Sequence, residues 1–199
     1  MKHLLITGFD PFAGGTVNPA WEAVSRLPDT IGNYRLTKLQ IPTVFGAAAE
    51  TVLAAAKTDP AHTILCVGLA STRDAVTPER IAVNIRDARV KETRDNAGFL
   101  ARGECCVPEG PAAYFSTVPV EKMAAAIRAA GLPAAVSNTA GTFVCNDTLY
   151  LLLHEYAQTA TQVGFIHVPR LPQQAPEGGP CMPLEDIIRA LSAAIQVLG

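Results

Sequence analysis

The fold is decided by Thr63–Gly68, which reads TILCVG. A short apolar run closed by a glycine is typical of a strand that is buried on both faces of a sheet. Two other short apolar runs predict strands: His3–Gly8 (HLLITG), also closed by a glycine, and Gly164–Val168 (GFIHV), which begins with one. Strands of this kind belong to parallel sheets, because helices pack against both faces of a parallel sheet.

Helical patterns alternate with these strands. One helix is expected to begin at Pro19, because proline suits the first helical position and Asn18 can cap the free N–H groups. Other patterns predict helices over 43–57, 121–130, 143–158 and 184–198, strands over 34–41, 81–85 and 134–136, and mostly loop over 86–119. The alternation predicts a single α/β domain over residues 1–199, an open, mainly parallel, twisted sheet with helices on both faces (an α/β/α sandwich).

The composition favours a folded globular protein and argues against some classes of binding partner. Hydrophobic residues make up 49% of the 199 residues and charged residues 17%, so the chain can bury a large core, and its low charge indicates contacts between subunits. The net charge of -2 is scattered along the chain, which argues against binding to nucleic acid or to a membrane surface. No apolar run approaches the roughly 20 residues that span a bilayer.

The cysteines indicate the compartment. There are five, none is spaced as a metal-binding pair, and the first residues read as a strand rather than as a signal peptide. Reduced thiols in the cytoplasm fit this pattern best.

Cys145 differs from the other cysteines because it follows a turn of small residues and begins a predicted helix. The N-terminal end of a helix carries partial positive charge, so we expect a lowered thiol pKa and N–H groups free to bind an oxyanion. Cys66 lies inside a strand pattern, and the others lie in loops at positions 105, 106 and 181. Cys145 is therefore the predicted nucleophile.

A thiol nucleophile needs a base, and the chain has four histidines. His154 lies nine residues beyond Cys145, which on a helix is about 13 Å away and on the opposite face. His3 and His62 precede strands, whereas active sites of parallel sheets form where strands end. His167 lies at the end of a strand and is the predicted base.

The imidazole also needs an acceptor for its second nitrogen. Glu79 is one candidate, just before the strand predicted over 81–85. Spacing alone leaves three rivals open, Asp10, Asp87 and Asp95.

Five blocks of sequence carry a family resemblance. They are residues 7–12 (TGFDPF) continuing to 18–22 (NPAWE), 78–84 (PERIAVN) with 87–89 (DAR), 110–117 (GPAAYFST), 137–146 (SNTAGTFVCN) and 164–169 (GFIHVP). With all five in this order, the chain resembles the pyroglutamyl-peptidase I (pyrrolidone-carboxylate peptidase) family of cysteine peptidases along nearly its whole length.

The resemblance implies a catalytic triad. Cys145 would be the nucleophile, His167 the general base and then acid, and Glu79 the group that orients His167. It implies an open α/β sandwich that works as a homotetramer without cofactor or metal, on peptides that begin with a pyroglutamyl (5-oxoprolyl) residue.

The resemblance also implies residues that bind the substrate. Those lining a pocket for the lactam ring would be Phe9, Phe12, Phe143 and Val144. Asn18 would hold the first loop in shape, and Arg89 would lie near the nucleophile. A flat, neutral lactam suits such an apolar, aromatic slot.

One position departs from the family pattern. Leu69 stands where relatives often carry glutamine, so one side-chain contact to the lactam is in question. Two alternatives therefore stand beside the peptidase: a cysteine amidase acting on another small cyclic or acyl amide, and a catalytically silent protein that binds lactams.

Overall fold

The computed structural model describes residues 1–89 and 92–199. Ten strands and five helices are described in chain order: β1 (Lys2–Phe9), α1 (Pro19–Ser25), β2 (Thr30–Ile31), β3 (Tyr34–Ile41), α2 (Ala47–Thr58), β4 (Thr63–Leu69), β5 (Thr77–Pro78), β6 (Ile81–Val83), β7 (Arg86–Asp87), β8 (Arg102–Glu104), β9 (Ala113–Phe115), α3 (Val120–Ala129), α4 (Val144–Glu155), β10 (Gln162–Val168) and α5 (Leu184–Gln196). None of the helices in these two ranges has the length and hydrophobicity needed to cross a membrane.

Six strands form the main sheet in the order β2-β3-β1-β4-β10-β5. The four central strands are parallel, and the two edge strands β2 and β5 run antiparallel to their neighbours. The prediction of an open, mainly parallel α/β sheet is therefore confirmed, with short antiparallel strands at both edges. β6 pairs with β9 and β7 with β8 outside this sheet.

Helices cover both faces of the sheet, as predicted. Alternate strand residues such as Leu65 and Val67 pack against α1, α3 and α5. The intervening residues, such as Cys66 and Phe165, pack against α2 and α4. We call this second side the α4 face. Because successive strand residues point to opposite faces, each strand assigns its residues to one side.

Several predicted boundaries are wrong for identifiable reasons. Residues 43–46 precede α2 instead of beginning it, because the N–H of Thr43 donates to Asp10 Oδ1 and that of Phe45 to Asp95 Oδ2. Residues 134–136 take part in an isolated bridge, Val76 to Ala134, rather than a strand. The segment predicted as mostly loop contains β7, β8 and β9.

The predicted N-cap of α1 is confirmed. Asn18 Oδ1 accepts the N–H of Ala20 at 3.1 Å, while Asn18 Nδ2 donates to the Asp10 carbonyl at 2.9 Å. The buried Asn18 side chain thus ties the start of the helix to the loop that follows β1.

Replacing Asn18 separates these two contacts. We expect Asn18→Ala to lower the free energy of unfolding by about 1 to 2 kcal/mol, because both are lost. Asn18→Ser should recover about half of this loss, since serine caps a helix but is too short to reach Asp10. Urea unfolding checks both values. Equal stability of the alanine variant and the parent chain would contradict the assignment.

Candidate active site

His167 lies near the carboxyl end of β10 and pairs with Gly68 of β4. The alternation along β10 puts it on the α4 face with Phe165, whose ring centroid lies 4.8 Å from that of the imidazole. The histidine is only 4% exposed. The ring is therefore held by packing on one side of the sheet.

Glu79 meets His167 from the neighbouring edge strand. Its N–H donates to the carbonyl of Phe165 at 2.9 Å, which continues the antiparallel pairing of β5 with β10. This pairing directs the Glu79 side chain to the α4 face, where Oε1 lies 2.7 Å from His167 Nδ1. The Glu79 side chain is fully buried.

The rival carboxylates make other contacts. Asp10 and Asp95 accept backbone N–H groups, from Thr43 and Phe45 respectively, and Asp87 pairs with Arg89. Among the four carboxylates that the spacing left open, Glu79 is the one hydrogen-bonded to His167 in the described ranges.

Cys145 is the second residue of α4, and Phe143 is the N-cap of that helix. A Cβ atom added to Gly68 would lie 2.9 Å from Cys145 Sγ. Because Gly68 is the β4 partner of His167, the thiol lies over the same face of the sheet as the imidazole. The absence of a side chain at position 68 makes room for the sulfur, and Cys145 as a whole residue is partly exposed.

Polar residues anchor the helix that carries Cys145. Asn146 Oδ1 accepts the N–H of Val83 at 2.9 Å, and its amide donates to the carbonyl of the same residue. The next residue, Asp147, pairs with Arg86 at 2.6 Å and accepts the N–H of Gly46. These buried contacts hold the first turn of α4, whose own N–H groups point away from the helix.

The pKa of the Cys145 thiol is raised, whereas its position at a helix start predicted a lowered pKa. Burial, together with the nearby Glu79 carboxylate, raises it to about 12, while Arg73 and the backbone N–H of Cys145 act in the other direction. Desolvation disfavours the thiolate more strongly than the helix end favours it. At neutral pH this shift favours the protonated thiol over the thiolate.

Glu79 stays ionised in spite of its burial. Burial alone would raise the pKa of its carboxyl, but the hydrogen bond and charge of His167, with Ser137 and Arg73, lower the pKa below its ordinary value. A charged carboxylate is the form that can accept Nδ1–H and stabilise an imidazolium.

The other three histidines lie elsewhere. His3 Nε2 bonds to Thr37, His62 Nδ1 accepts the N–H of His3, and His154 bonds to the Tyr114 hydroxyl. The structure thus brings together the three residues predicted as a triad, and leaves these histidines outside it.

A family model described as pyroglutamyl peptidase matches residues 2–199. The pyrrolidone-carboxylate peptidase of Levilactobacillus brevis is 50% identical, over 98% of this chain and 96% of its own length. The chain belongs to the pyroglutamyl peptidase family.

Solved structures of the pyroglutamyl peptidase family share the fold. Pyroglutamyl peptidase I from Bacillus amyloliquefaciens matches with a TM-score of 0.95 at 41% identity, over 100% of this chain and 97% of that chain. The pyrrolidone carboxyl peptidase from Thermococcus litoralis matches with a TM-score of 0.93 at 34% identity, over 100% and 93%.

An aromatic row includes a residue close to Cys145 in this member of the pyroglutamyl peptidase family. Its ring centroids are 5.3 Å apart between Phe12 and Phe143, 5.1 Å between Phe143 and Phe45, and 5.8 Å between Phe45 and Phe99. All four rings are partly or largely exposed. Phe143, the second ring of the row, is also the N-cap of α4 and lies two residues before Cys145 in the chain.

The other residues predicted to bind the substrate lie outside the aromatic row. Phe9 is 2% exposed and packs on Phe165, and Val144 is fully buried, so neither side chain reaches solvent. Arg89 is exposed and pairs with Asp87, whose N–H donates to the carbonyl of Thr142, three residues before Cys145. Leu69 ends β4 and is partly exposed.

Sequence reasoning missed two residues of the site, Gly68 and Arg73. Arg73 Nη1 lies 2.5 Å from Glu79 Oε1. Both residues lie where β4 ends or just beyond it, at the edge that the rule for parallel sheets had already selected. That rule was the available signal.

Gly68→Ala tests the room left for the sulfur. The added Cβ would lie 2.9 Å from Cys145 Sγ and 2.8 Å from the Phe165 ring, so the thiol must move. We expect iodoacetamide to alkylate Cys145 about a hundredfold more slowly, because small displacements of a reacting group have effects of this size.

Gly164→Ala is the matched control. Its Cβ would meet Val118, also in the core but away from the thiol. We expect this variant to lose stability while its folded fraction keeps the parent alkylation rate. Equal rates in the parent and the Gly68 variant would show that the sulfur does not depend on this space.

Proposed function

We propose that the chain is a cysteine exopeptidase that hydrolyses the amide bond after an N-terminal pyroglutamyl residue. The observation that carries the proposal is the alignment of Cys145, His167 and Glu79 on one face of the sheet, in a member of the pyroglutamyl peptidase family. In this proposal residues 1–199 act as one catalytic domain.

The first half-reaction forms a thioester. Cys145 Sγ attacks the carbonyl carbon of the pyroglutamyl residue while its proton passes to His167 Nε2, and Glu79 accepts Nδ1–H to stabilise the imidazolium. The oxyanion would be bound by N–H groups in the first turn of α4. His167 then donates its proton to the leaving peptide amine, and the C–N bond breaks.

The second half-reaction releases pyroglutamate. His167 removes a proton from water, the hydroxide attacks the thioester carbon, and the C–S bond breaks as the proton returns to Cys145. No cofactor enters this scheme, because the side chains supply the nucleophile, the base and the orienting carboxylate. The raised thiol pKa supports this route, since the base acts on a neutral thiol.

The aromatic row supports the choice of substrate. A pyroglutamyl ring has no charged amine, so it needs an apolar slot and a few hydrogen bonds rather than an ionic contact. We propose that the exposed faces of Phe12 and Phe143 bind this ring, with Phe9 and Val144 behind them in the core. Asn18 would keep the loop of Phe12 in shape through Asp10, and Arg89 would act at the mouth of the site.

We also propose that the chain works in the cytoplasm as a homotetramer. Five free thiols, two of them exposed, fit a reducing compartment. Large apolar side chains reach the surface at Phe115, Phe99 and Val17, with exposures of 68%, 45% and 37%. We propose that partner subunits cover some of these side chains, Phe115 first among them because it is the most exposed.

Cys145→Ala tests the peptidase directly. We expect it to lower kcat/KM for a pyroglutamyl arylamide by at least about a thousandfold, because the nucleophile is lost. Cys181→Ser removes an exposed thiol and should leave the rate unchanged. Release of the fluorescent amine, with circular dichroism to check folding, gives both results.

The same assay separates the alternatives. Preferential cleavage of a prolyl or simple acyl arylamide by the parent chain would favour the cysteine amidase suggested by Leu69. Failure to cleave any arylamide, with no labelling of Cys145 by iodoacetamide, would favour a silent lactam-binding protein.

Phe115→Glu tests the proposed assembly. We expect the parent chain to sediment near four times the 21.0 kDa chain mass, and the variant to dissociate, because a buried unpaired charge destabilises an interface. Lys122→Glu places the same charge on an exposed polar position as a control. A monomeric parent chain would contradict the tetramer.

A further inference from the structure

Arg73 occupies a position that the mechanism above does not use. It lies in the segment between β4 and β5, and its side chain is 25% exposed. Nη1 donates to Glu79 Oε1 at 2.5 Å and to the Thr77 hydroxyl, while Nη2 donates to the carbonyl of Thr139 at 2.8 Å. One guanidinium therefore joins two separate parts of the chain, the segment 77–79 and the turn that contains Thr139.

The first contact concerns the orientation of the carboxylate. Glu79 Oε1 receives Arg73 Nη1 and is also the oxygen 2.7 Å from His167 Nδ1. Because a planar guanidinium donates along fixed directions, it limits the rotation of the carboxylate that faces the imidazole. Without this partner, His167 would be the one ionisable side chain hydrogen-bonded to Glu79 among the described contacts.

The second contact concerns the nucleophile. Thr139 belongs to the turn over residues 137–142, which leads into α4 and Cys145. β5 holds one end of this turn, because the N–H of Ser137 donates to the carbonyl of Pro78 at 2.9 Å. Arg73 binds the turn two residues later, from the side of Glu79.

We infer that Arg73 is a positioning residue. It aligns Glu79 with His167, and it holds the turn before α4 in place relative to these two residues. The inference rests on the proposed catalytic roles of these residues. Its charge also opposes the effect of Glu79 on the thiol, because Arg73 lowers the pKa of Cys145 whereas Glu79 raises it. The Arg73 guanidinium thus lets the buried Glu79 carboxylate orient His167, and it reduces the effect of that carboxylate on the pKa of Cys145.

Two variants test the inference. Arg73→Gln removes the charge and the fork of donors, and we expect kcat for the pyroglutamyl arylamide to fall at least about tenfold, with KM changed less than about twofold. Iodoacetamide should alkylate Cys145 more slowly by a similar factor. Arg73→Lys restores the charge beside Glu79, and we expect it to recover part of both rates.

Arg80→Gln is the matched control. Arg80 contacts the same turn through Asn138 Oδ1 at 2.7 Å and pairs with Glu121 on the surface, but has no contact with Glu79 among the described hydrogen bonds. We expect its kcat and alkylation rate to stay within twofold of the parent. A similar loss in both glutamine variants would mean that Arg73 only stabilises the turn.

The results also separate this inference from the proposed function. If the parent chain cleaves no pyroglutamyl arylamide but Arg73→Gln still slows alkylation and Arg73→Lys restores it, the substrate is wrong and the positioning role stands. Unchanged kcat and alkylation in folded Arg73→Gln would overturn the role. If Arg73→Gln does not fold, Arg73→Lys is compared with Arg73→Met instead. Parental kcat and alkylation rates in both of these variants would overturn the role.

Discussion

The hydrogen bond between Glu79 Oε1 and His167 Nδ1 is the interaction on which the rest of the site depends. A fully buried carboxylate is strongly unfavourable unless it is paired, and here the partners are an imidazole and the Arg73 guanidinium. The short edge strand β5 brings these groups together, because its antiparallel pairing with β10 sets Glu79 beside the strand that carries His167.

Burial of the site has an electrostatic consequence for the thiol. The surroundings that hold Glu79 and His167 in place also raise the pKa of Cys145, so the positive end of α4 does not by itself produce a thiolate. The helix end is then more useful to the oxyanion, which forms during the reaction, than to the resting sulfur. In the proposed mechanism, proton transfer to His167 is then part of the attack rather than a step before it.

Much of the fold could be predicted because it rests on local patterns. Short apolar runs next to a glycine identified β1, β4 and β10, and the pair Asn18 and Pro19 identified the start of α1. The start of α2 could not be predicted, because Asp10 and Asp95 hold residues 43–46 from distant parts of the chain. The strands between 86 and 119 are two or three residues long, too short for any periodicity.

The sequence by itself determined the parallel α/β sheet and the placement of Cys145 at a helix start. It also identified His167 as the histidine at the edge where the parallel strands end. Helix geometry and strand ends are local, so residue order was enough. The spacing of residues left four carboxylates open, and the family resemblance selected Glu79. Only the tertiary structure showed the contact of Glu79 with His167, how burial moves the thiol pKa, and that Arg73 and Gly68 belong to the site. Those outcomes depend on which strands become neighbours and on how much water they exclude. The spacing of residues along the chain predicts neither.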